Sequence, residues 1–325
     1  MMERRKILAG LTALPGLAVA RGVQAQASFP DRPLRLIVAY APGGGTDLVA
    51  RTVAQRMSLT LKQTVVVDNR PGAGGNTATE QAAAARPDGY TLLVGNQGPM
   101  SVNPTLFRNL RVDPAAALEP VALLADAPLV LVVGPKSRAT NMVELLDEIR
   151  NSKGRLDYGS AGNGSASHLA TALLLQTTGL EATHIPYRGA GPALTDVVAG
   201  TLSFITTTLP SVVGLMSSNA VRAIAVTGKQ RMSLMPEIPT VAETVPDYDA
   251  TAWYGIMVPK GTPDAVKARL TQAIEESLTA PDVVQRLREE GAEPSKLTQS
   301  EFGGYIASER ERWAKVIHAG AISVD

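Results

Sequence analysis

Short β-rich runs alternate with helical patterns along almost the whole chain, and this alternation limits the fold more than any other sequence feature. The first pair shows the pattern: PLRLIVAY, residues 33–40, reads as a strand, and the next segment places Val49, Val53 and Met57 on one helical face. Further strands are expected at residues 64–68, 90–95, 128–134, 223–228 and 254–259. Repeated β-α units form parallel sheets covered by helices on both faces. The sequence therefore predicts an α/β fold.

No long linker, internal repeat or low-complexity segment divides the chain. We therefore expect two α/β lobes joined by crossing strands, with a cleft between them, rather than two independent domains. The first lobe is predicted to comprise residues 28–127 and 236–325, and the second lobe residues 128–235.

The N-terminal segment reads as a secretory signal peptide. Arg4, Arg5 and Lys6 precede an apolar run at residues 7–20, and the small-x-small sequence AQA ends at Ala27. We expect cleavage near Ala27 and a periplasmic protein. Sec export and twin-arginine export both stay open. No other stretch is apolar enough to cross a bilayer, so we expect a protein that is not membrane-embedded.

Charge and cysteine content exclude several classes of function. Without residues 1–27 the chain keeps 27 basic and 29 acidic residues, so it has no basic field for nucleic acid or an anionic membrane surface. It has no cysteine, hence no disulfide, thiol nucleophile or lipid-anchoring Cys. With three histidines and no cysteine, we expect no metal and no cofactor.

Three segments share one design, a strand followed by a glycine-rich turn and a helix start. They are YAPGGGTDLVA at residues 40–50, NRPGAGGNTATE at 69–80 and YGSAGNGSASHLA at 158–170. A helix start exposes unpaired N–H groups and the positive end of the helix dipole. Two such starts in one cleft can hold a carboxylate without Arg or Lys.

Other interpretations of these turns stay open. Strand-to-helix turns are often rich in Gly, Ser and Thr for capping alone. None of them fits a P-loop or a dinucleotide fingerprint. A secreted hydrolase could recruit Ser165 and His168, but G-x-S-x-G is absent, and His168 is expected to be a polar neighbour of the cleft or a capping residue.

Outside the turns, four aromatic or cationic residues are candidates. Arg188, after Tyr187, is either a carboxylate clamp or a surface arginine. Trp253 and Tyr254 either line an apolar wall of the cleft or pack in the core.

Several motifs together resemble one known family. They are FPDRPLRLIVAYAPGGGTD, VVVDNRPGAGGNTATEQAAAARPDGYTLLVGN, YGSAGNGSASHLA, IPYRGAGPALTDVVAG and WYGIMVPKGTP. This set resembles the Bug-type extracytoplasmic solute receptors of tripartite tricarboxylate transporters, over essentially the whole chain after residue 27. The resemblance implies a type II-like periplasmic binding protein whose two lobes close on a small carboxylate. It also implies delivery of the ligand to separate membrane permease subunits, and no catalysis.

The resemblance places the ligand between the turn at residues 40–47 and the turn at residues 160–168, with residues 96–101 and PYRG nearby. The ligand-binding residues expected from turn chemistry and resemblance together are Tyr40, Pro42, Gly43, Gly44, Gly45, Thr46, Asp47, Asn96, Ser160, Ala161, Gly162, Asn163, Gly164, Ser165, His168, Tyr187, Arg188 and Thr207.

One departure bears on the ligand. Thr206, Thr207 and Thr208 stand where many family members carry an acidic or amide residue. A ligand ammonium would lack a carboxylate partner there, although a backbone carbonyl could serve. We expect a monomeric receptor for a simple organic acid, such as a dicarboxylate or a nicotinate-like acid. The alternatives are the hydrolase that uses Ser165 and His168, and a carboxylate sensor that presents its ligand to a membrane regulator.

Overall fold

The computed structural model describes residues 29–232, 234–289 and 291–319, so the predicted signal peptide lies outside the described residues. The described strands are β1 (Leu34–Val38), β2 (Val65–Asn69), β3 (Thr91–Asn96), β4 (Leu118–Val133), β5 (Asp157–Ser160), β6 (Thr183–Pro186), β7 (Phe204–Thr208), β8 (Arg222–Val226), β9 (Thr251–Pro259) and β10 (Glu293–Pro294).

The helices of the same residues alternate with these strands. They are α1 (Gly45–Leu61), α2 (Asn76–Ala83), α3 (Asn103–Leu106), α4 (Pro114–Ala117), α5 (Met142–Ser152), α6 (Ala166–Thr178), α7 (Ala190–Val198), α8 (Leu209–Ser217), α9 (Asp264–Thr279), α10 (Pro281–Glu289) and α11 (Gln299–Ala319). Within the described ranges, no helix is long and apolar enough to cross a membrane.

Parallel pairing confirms the α/β fold that the alternation predicts. β1 pairs in parallel with β2 and β3, and β5 pairs in parallel with β6 and β7. In each group a helix follows the strand, as β-α-β units require. Apolar residues of β1, α1 and β3 are fully buried, among them Leu36, Val53 and Leu92.

β4 is the strand that joins the two groups. Its residues 118–128 pair with β9, whereas residues 129–133 pair with β7. The strand order is β2-β1-β3-β9-β4-β7-β5-β6. The predicted lobe boundary at residue 128 falls where the partner of β4 changes. The division into lobes stays a prediction, and the names first lobe and second lobe are used for the predicted ranges.

β4 is longer than the sequence predicts. Only residues 128–134 read as a strand, because Pro120 lacks the N–H that a central strand needs. The structure includes Pro120 and Pro128 in one strand of 16 residues. The register against β9 shifts between Pro120 and Ala122, and again between Leu123 and Ala125. The first bulge lies at Pro120, and bulges are where a sheet accommodates proline. Pro128 pairs with Thr251 without a register shift.

Candidate ligand-binding site

In the first glycine-rich turn, at residues 40–50, the backbone rather than the side chains lies towards the interior of the protein. β1 ends at Val38 and α1 begins at Gly45, with Gly44 as an N-cap that makes no side-chain capping bond. A Cβ on Gly45 would lie 2.2 Å from Thr208 Oγ1 and 2.8 Å from the Tyr254 hydroxyl. Only glycine therefore allows this close approach between the first turn of α1 and the start of α8.

Asp47 faces back into its own turn. Its carboxylate accepts hydrogen bonds from Gly43 N (3.0 Å), Asn69 Nδ2 (2.9 Å) and Arg51 Nε (3.0 Å). Burial alone would raise the pKa of Asp47, but hydrogen bonds from Arg51, Gly43 and Asn69 outweigh it and lower the pKa. Asp47 therefore stabilises the conformation of the first turn.

In the third turn, the serines bond to the turn itself and to the neighbouring strand β6. Ser165 is the N-cap of α6: its hydroxyl accepts from His168 N (3.2 Å) and donates to Gly162 O (2.6 Å). Ser160 is fully buried, and its Oγ lies 2.6 Å from His184 Nε2. Because these bonds engage the serine hydroxyls, the polar groups that the turn offers to a ligand are the backbone N–H groups at the start of α6.

Behind this turn, two histidines form a parallel stack. The ring centroids of His168 and His184 are 3.9 Å apart with an interplanar angle of 6°, and Tyr158 stacks on the other side of His184 at 4.9 Å. Burial lowers the pKa of His168 to about 3, with a smaller contribution from His184, and lowers the pKa of His184 to about 4. Nδ1 of His168 accepts from Gly164 N at 3.2 Å. Both rings are neutral at pH 7 and support the turn.

The starts of two further helices, α7 and α8, lie beside the starts of α1 and α6. α7 begins at Ala190, and α8 follows β7 with Thr208 as its N-cap. Thr208 Oγ1 lies 3.0 Å from Ser211 Oγ, and Ser211 Oγ accepts a hydrogen bond of 3.0 Å from Gly45 N. The starts of α1, α6, α7 and α8 therefore converge.

A small inner cavity lies where the four helices converge. Its volume is about 50 Å³. The lining has no charged side chain, and it comprises Tyr40, Gly44, Gly45, Thr46, Asn96, Leu129, Ala161, Ser165, Ala166, Ser167, Ala190, Thr207, Thr208, Ser211, Ala252 and Tyr254. Burial raises the pKa of Tyr40 to about 12, while its hydrogen bond to Asn96 Oδ1 (3.3 Å) acts in the opposite direction. The Tyr40 hydroxyl is therefore a neutral donor in this wall.

A larger outer cavity adjoins the inner one, and its volume is about 380 Å³. It involves the second glycine-rich turn, and Arg188 is the one charged residue of its lining. The lining comprises Ala39, Tyr40, Pro71, Gly72, Ala73, Gly74, Gly75, Phe107, Ala161, Gly162, Asn163, Pro186, Tyr187 and Arg188.

The structure divides the predicted site residues among three places. Eight of them line the inner cavity: Tyr40, Gly44, Gly45, Thr46, Asn96, Ala161, Ser165 and Thr207. The outer cavity adds Gly162, Asn163, Tyr187 and Arg188. Six line neither cavity and lie in or behind the turns: Pro42, Gly43, Asp47, Ser160, Gly164 and His168.

Several lining residues are absent from the predicted set. Leu129, Ala190 and Ala252 carry no signal of a binding role in the sequence, since each reads as an ordinary apolar position of a strand or helix. The sequence left open whether Trp253 and Tyr254 line the cleft or pack in the core. Tyr254 lines the inner cavity, whereas Trp253 is fully buried and packs against Phe302. The helix start after TTTLPS could have identified Ser211.

The geometry of Ser165 and His168 does not form a nucleophile and base. The Ser165 hydroxyl bonds to the backbone N of His168, and the ring Nδ1 is occupied by Gly164 N. A nucleophile requires its base within hydrogen-bond reach of the hydroxyl. The arrangement can instead bind an anion through backbone N–H groups and neutral hydroxyls.

The comparisons with known proteins agree with this geometry. The family model described as "Tripartite tricarboxylate transporter family receptor" matches residues 49–322. Protein BugT of Bordetella pertussis is 35% identical over 313 residues, covering 94% of this chain and 96% of BugT.

Two solved structures are similar over nearly their whole length. One, described as a periplasmic transporter, has a TM-score of 0.88 at 36% identity and covers 92% of this chain and 100% of that chain. The other, Rpa4515 of R. palustris with adipate, has a TM-score of 0.88 at 33% identity and covers 91% of this chain and 99% of that chain.

Proposed function

The chain belongs to the tripartite tricarboxylate transporter receptor family, and on that premise we propose that it binds a small organic carboxylate between its two lobes. It is a periplasmic solute-binding receptor and not an enzyme, as the family and its solved members are. The predictions of family, of α/β fold and of a receptor function are thereby confirmed.

The observation that carries the proposal is the convergence of four helix starts on a cavity without charged side chains. Each helix dipole contributes about 0.3–1 kcal/mol to an anion when exposed and up to ~2 kcal/mol when partly buried. Hydrogen bonds to a charged group add roughly 1.5–3 kcal/mol each. Several backbone N–H groups acting together therefore suffice for a carboxylate, whereas a cation would find no counter-charge in the inner cavity.

We propose that the lining residues of the two cavities are the ligand contacts. The solved structure of Rpa4515 of R. palustris is described with adipate, a dicarboxylate, and this supports a carboxylate ligand here. The residues behind the turns, Asp47, Ser160 and His168, then act by positioning the backbone rather than by touching the ligand.

We also propose how the receptor is exported, in which oligomeric state it acts and where it delivers its ligand. Residues 1–27 direct export and are removed, the mature chain acts as a monomer, and it hands its ligand to membrane permease subunits of the transporter. Mass spectrometry of the exported protein measures the cleavage site. Light scattering measures the oligomeric state.

Ligand-induced stabilisation tests the binding function. A ligand present at 100 times its Kd stabilises the folded protein by about 2.7 kcal/mol. We expect the melting temperature to rise with small carboxylates and to stay constant with the matched neutral amides. A panel of carboxylates without any shift, or equal shifts for acids and amides, would contradict the proposed function.

A further inference from the structure

The second glycine-rich turn, at residues 69–80, contacts the third turn across the two predicted lobes. A Cβ on Gly74 would overlap the backbone carbonyl oxygen of Asn163. Gly74 has a φ of +62°, so its backbone conformation and this contact both favour glycine. The backbone of the second turn therefore reaches the third turn at a distance that a side chain would prevent.

A second contact of the same kind involves the residues that follow β3. Gly98 begins a single helical turn, Gly98–Val102. A Cβ on Gly98 would lie 2.7 Å from the carbonyl oxygen of Gly164 and 3.1 Å from the Tyr40 hydroxyl. The φ of Gly98 is not positive, so crowding rather than backbone conformation restricts the side chain at this position.

Asn103 joins the two contacts. It is fully buried, and its Nδ2 donates hydrogen bonds to Gly74 O (3.1 Å) and Asn76 Oδ1 (2.5 Å). Its Oδ1 is buried without a hydrogen-bond partner among the described residues, and a Cβ on Gly164 would overlap this atom. One amide group therefore fixes the second turn on one side and contacts the third turn on the other.

The third turn lies between these contacts and the inner cavity. Asn163 and Gly164 contact the first lobe, whereas Ala161 and Ser165, on either side of them in the chain, line the inner cavity. Ser165 is also the N-cap of α6. The position at which the third turn comes to rest therefore determines how close the start of α6 comes to a ligand.

The contact at Asn103 limits the approach of the lobes without adding a hydrogen bond. The groups involved are backbone carbonyls, glycines and a buried amide, and none of them can turn away as a flexible side chain can. Elsewhere hydrogen bonds join the lobes, such as the bond of 3.2 Å from Ala41 N to Arg188 O. Because closely packed interiors resist compression, the contact at Asn103 sets a minimum separation.

We propose that Gly74, Gly98 and Asn103 form a steric stop for the third turn, and that this stop selects ligands by thickness because it fixes the separation of the lobes in the closed protein. A ligand that is too thick keeps the third turn off the stop. A ligand that is too thin cannot contact both lobes. The inference rests on the proposed function and goes beyond it, since Gly98 and Asn103 line neither cavity.

Two substitutions thicken the steric stop at different points. Gly98→Ala and Gly74→Ala each add one methyl group at a contact with the third turn. Gly304→Ala is the control for the first, because a Cβ there has no neighbour within 4 Å. Gly179→Ala is the control for the second, because its φ of +65° nearly matches that of Gly74 and a Cβ there also has no neighbour within 4 Å. Each control therefore repeats the backbone change without the contact.

Calorimetric titration with ligands of graded thickness measures the effect. One series is propionate, isobutyrate and pivalate, and the other is succinate, 2-methylsuccinate and 2,2-dimethylsuccinate. The quantity compared is the affinity for the unbranched acid divided by the affinity for the doubly methylated acid. We expect this ratio to fall about tenfold in Gly98→Ala and in Gly74→Ala, because one methyl group in a binding pocket changes affinity by about tenfold or more. Both controls should keep the wild-type ratio.

The ratio separates a steric stop from general damage to the protein. Equal losses for thin and thick ligands in both variants, or an unchanged ratio, overturn the inference and leave the proposed function intact. An equal shift in a control also overturns it. Gly98→Ala decides alone if Gly74→Ala does not fold. If the wild-type protein binds neither series, the inference is overturned, and the melting-temperature panel of acids and amides decides the proposed function separately.

Discussion

The backbone N–H of Gly45 donates a 3.0 Å hydrogen bond to the hydroxyl of Ser211, and this bond ties the first turn of α1 to the first turn of α8. The two residues are 166 positions apart and belong to different predicted lobes. The bond exists only while the two helix starts are together around the inner cavity.

The close approach at Gly45 predicts that Gly45→Ala weakens ligand binding. The added Cβ would overlap Thr208 and the Tyr254 hydroxyl, and such overpacking costs ~1–3 kcal/mol. We expect affinity for carboxylates to fall about tenfold or more, measured by calorimetry, with a smaller change in the stability of the ligand-free protein. Gly214→Ala is the control, because a Cβ there has open space on α8. Unchanged affinity in Gly45→Ala would show that the approach is not needed for binding.

We predict that removing the Ser165 cap lowers carboxylate affinity, whereas removing a helix cap far from the cavities does not. Ser165→Ala removes the N-cap of α6 and should cost about 1 kcal/mol of unfolding free energy. Because that cap also shapes the turn at the inner cavity, carboxylate affinity should fall too. Asn141→Ala removes the cap of α5, away from both cavities, and should lower stability without lowering affinity. Equal affinities in the two variants would contradict the role of the turn.

The buried carboxylate of Asp47 predicts a pH-dependent contribution to stability. Its folded pKa is lowered, so its stabilisation is present above the unfolded pKa near 4 and is lost as pH falls through the folded pKa. Asp47→Asn should therefore cost ~1–2 kcal/mol at pH 7 and less at pH 3, measured by urea unfolding. Asp282→Asn, at an exposed position, should show neither effect. A cost that does not change with pH would exclude the charge as its cause.

The histidine stack predicts falling stability between pH 6.5 and 4. Both rings stay neutral when folded, because burial lowers their pKa values to about 3 and about 4, whereas the unfolded rings take up protons near 6.5. Each ring then contributes a slope of up to ~1.4 kcal/mol per pH unit. His168→Phe should reduce this slope in urea unfolding, and the exposed His318→Phe should not. A parallel pH profile for His168→Phe and wild type would contradict the buried neutral state.

Asp126 should have the opposite effect in the same pH range. Burial, with a contribution from Glu309, raises its pKa to about 6, so the folded state loses stability as pH rises from about 4 through 6. Its Oδ1 is buried without a hydrogen-bond partner among the described residues. Asp126→Asn should raise the unfolding free energy by ~1–2 kcal/mol at pH 7 and by less at pH 4. Asp264→Asn, at an almost fully exposed side chain, is the control. A destabilised Asp126→Asn protein at pH 7 would contradict the raised pKa.

Local chemistry made the turns predictable. Gly44 and Gly45 after an apolar strand, and Ser165 before an apolar helix, have the same meaning in any fold, because caps and tight turns depend on neighbouring residues alone. For the same reason the sequence predicted α/β alternation and the start of most helices. It failed on the extent of β4, because Pro120 is tolerated there at a bulge in the pairing with β9, and such a bulge is not visible in the local sequence.

The direction of a side chain at a turn was not predictable. Ser160 and Asp47 have the chemistry of ligand contacts, yet Ser160 bonds to His184 and Asp47 bonds to Asn69. Each partner comes from a different strand or strand end. A polar side chain satisfies whichever group the fold brings near, and that group is not visible in the local sequence.

The sequence by itself determined the elements, the turns and the family, since these depend on periodicity, capping and motifs within short segments. The tertiary structure alone decided that four helix starts share one small cavity, that Arg188 lines a second cavity, and that Ser211 meets Gly45. Contacts between residues far apart in the chain depend on how sheets and helices pack, and β4, which pairs with β9 at one end and β7 at the other, sets that packing here.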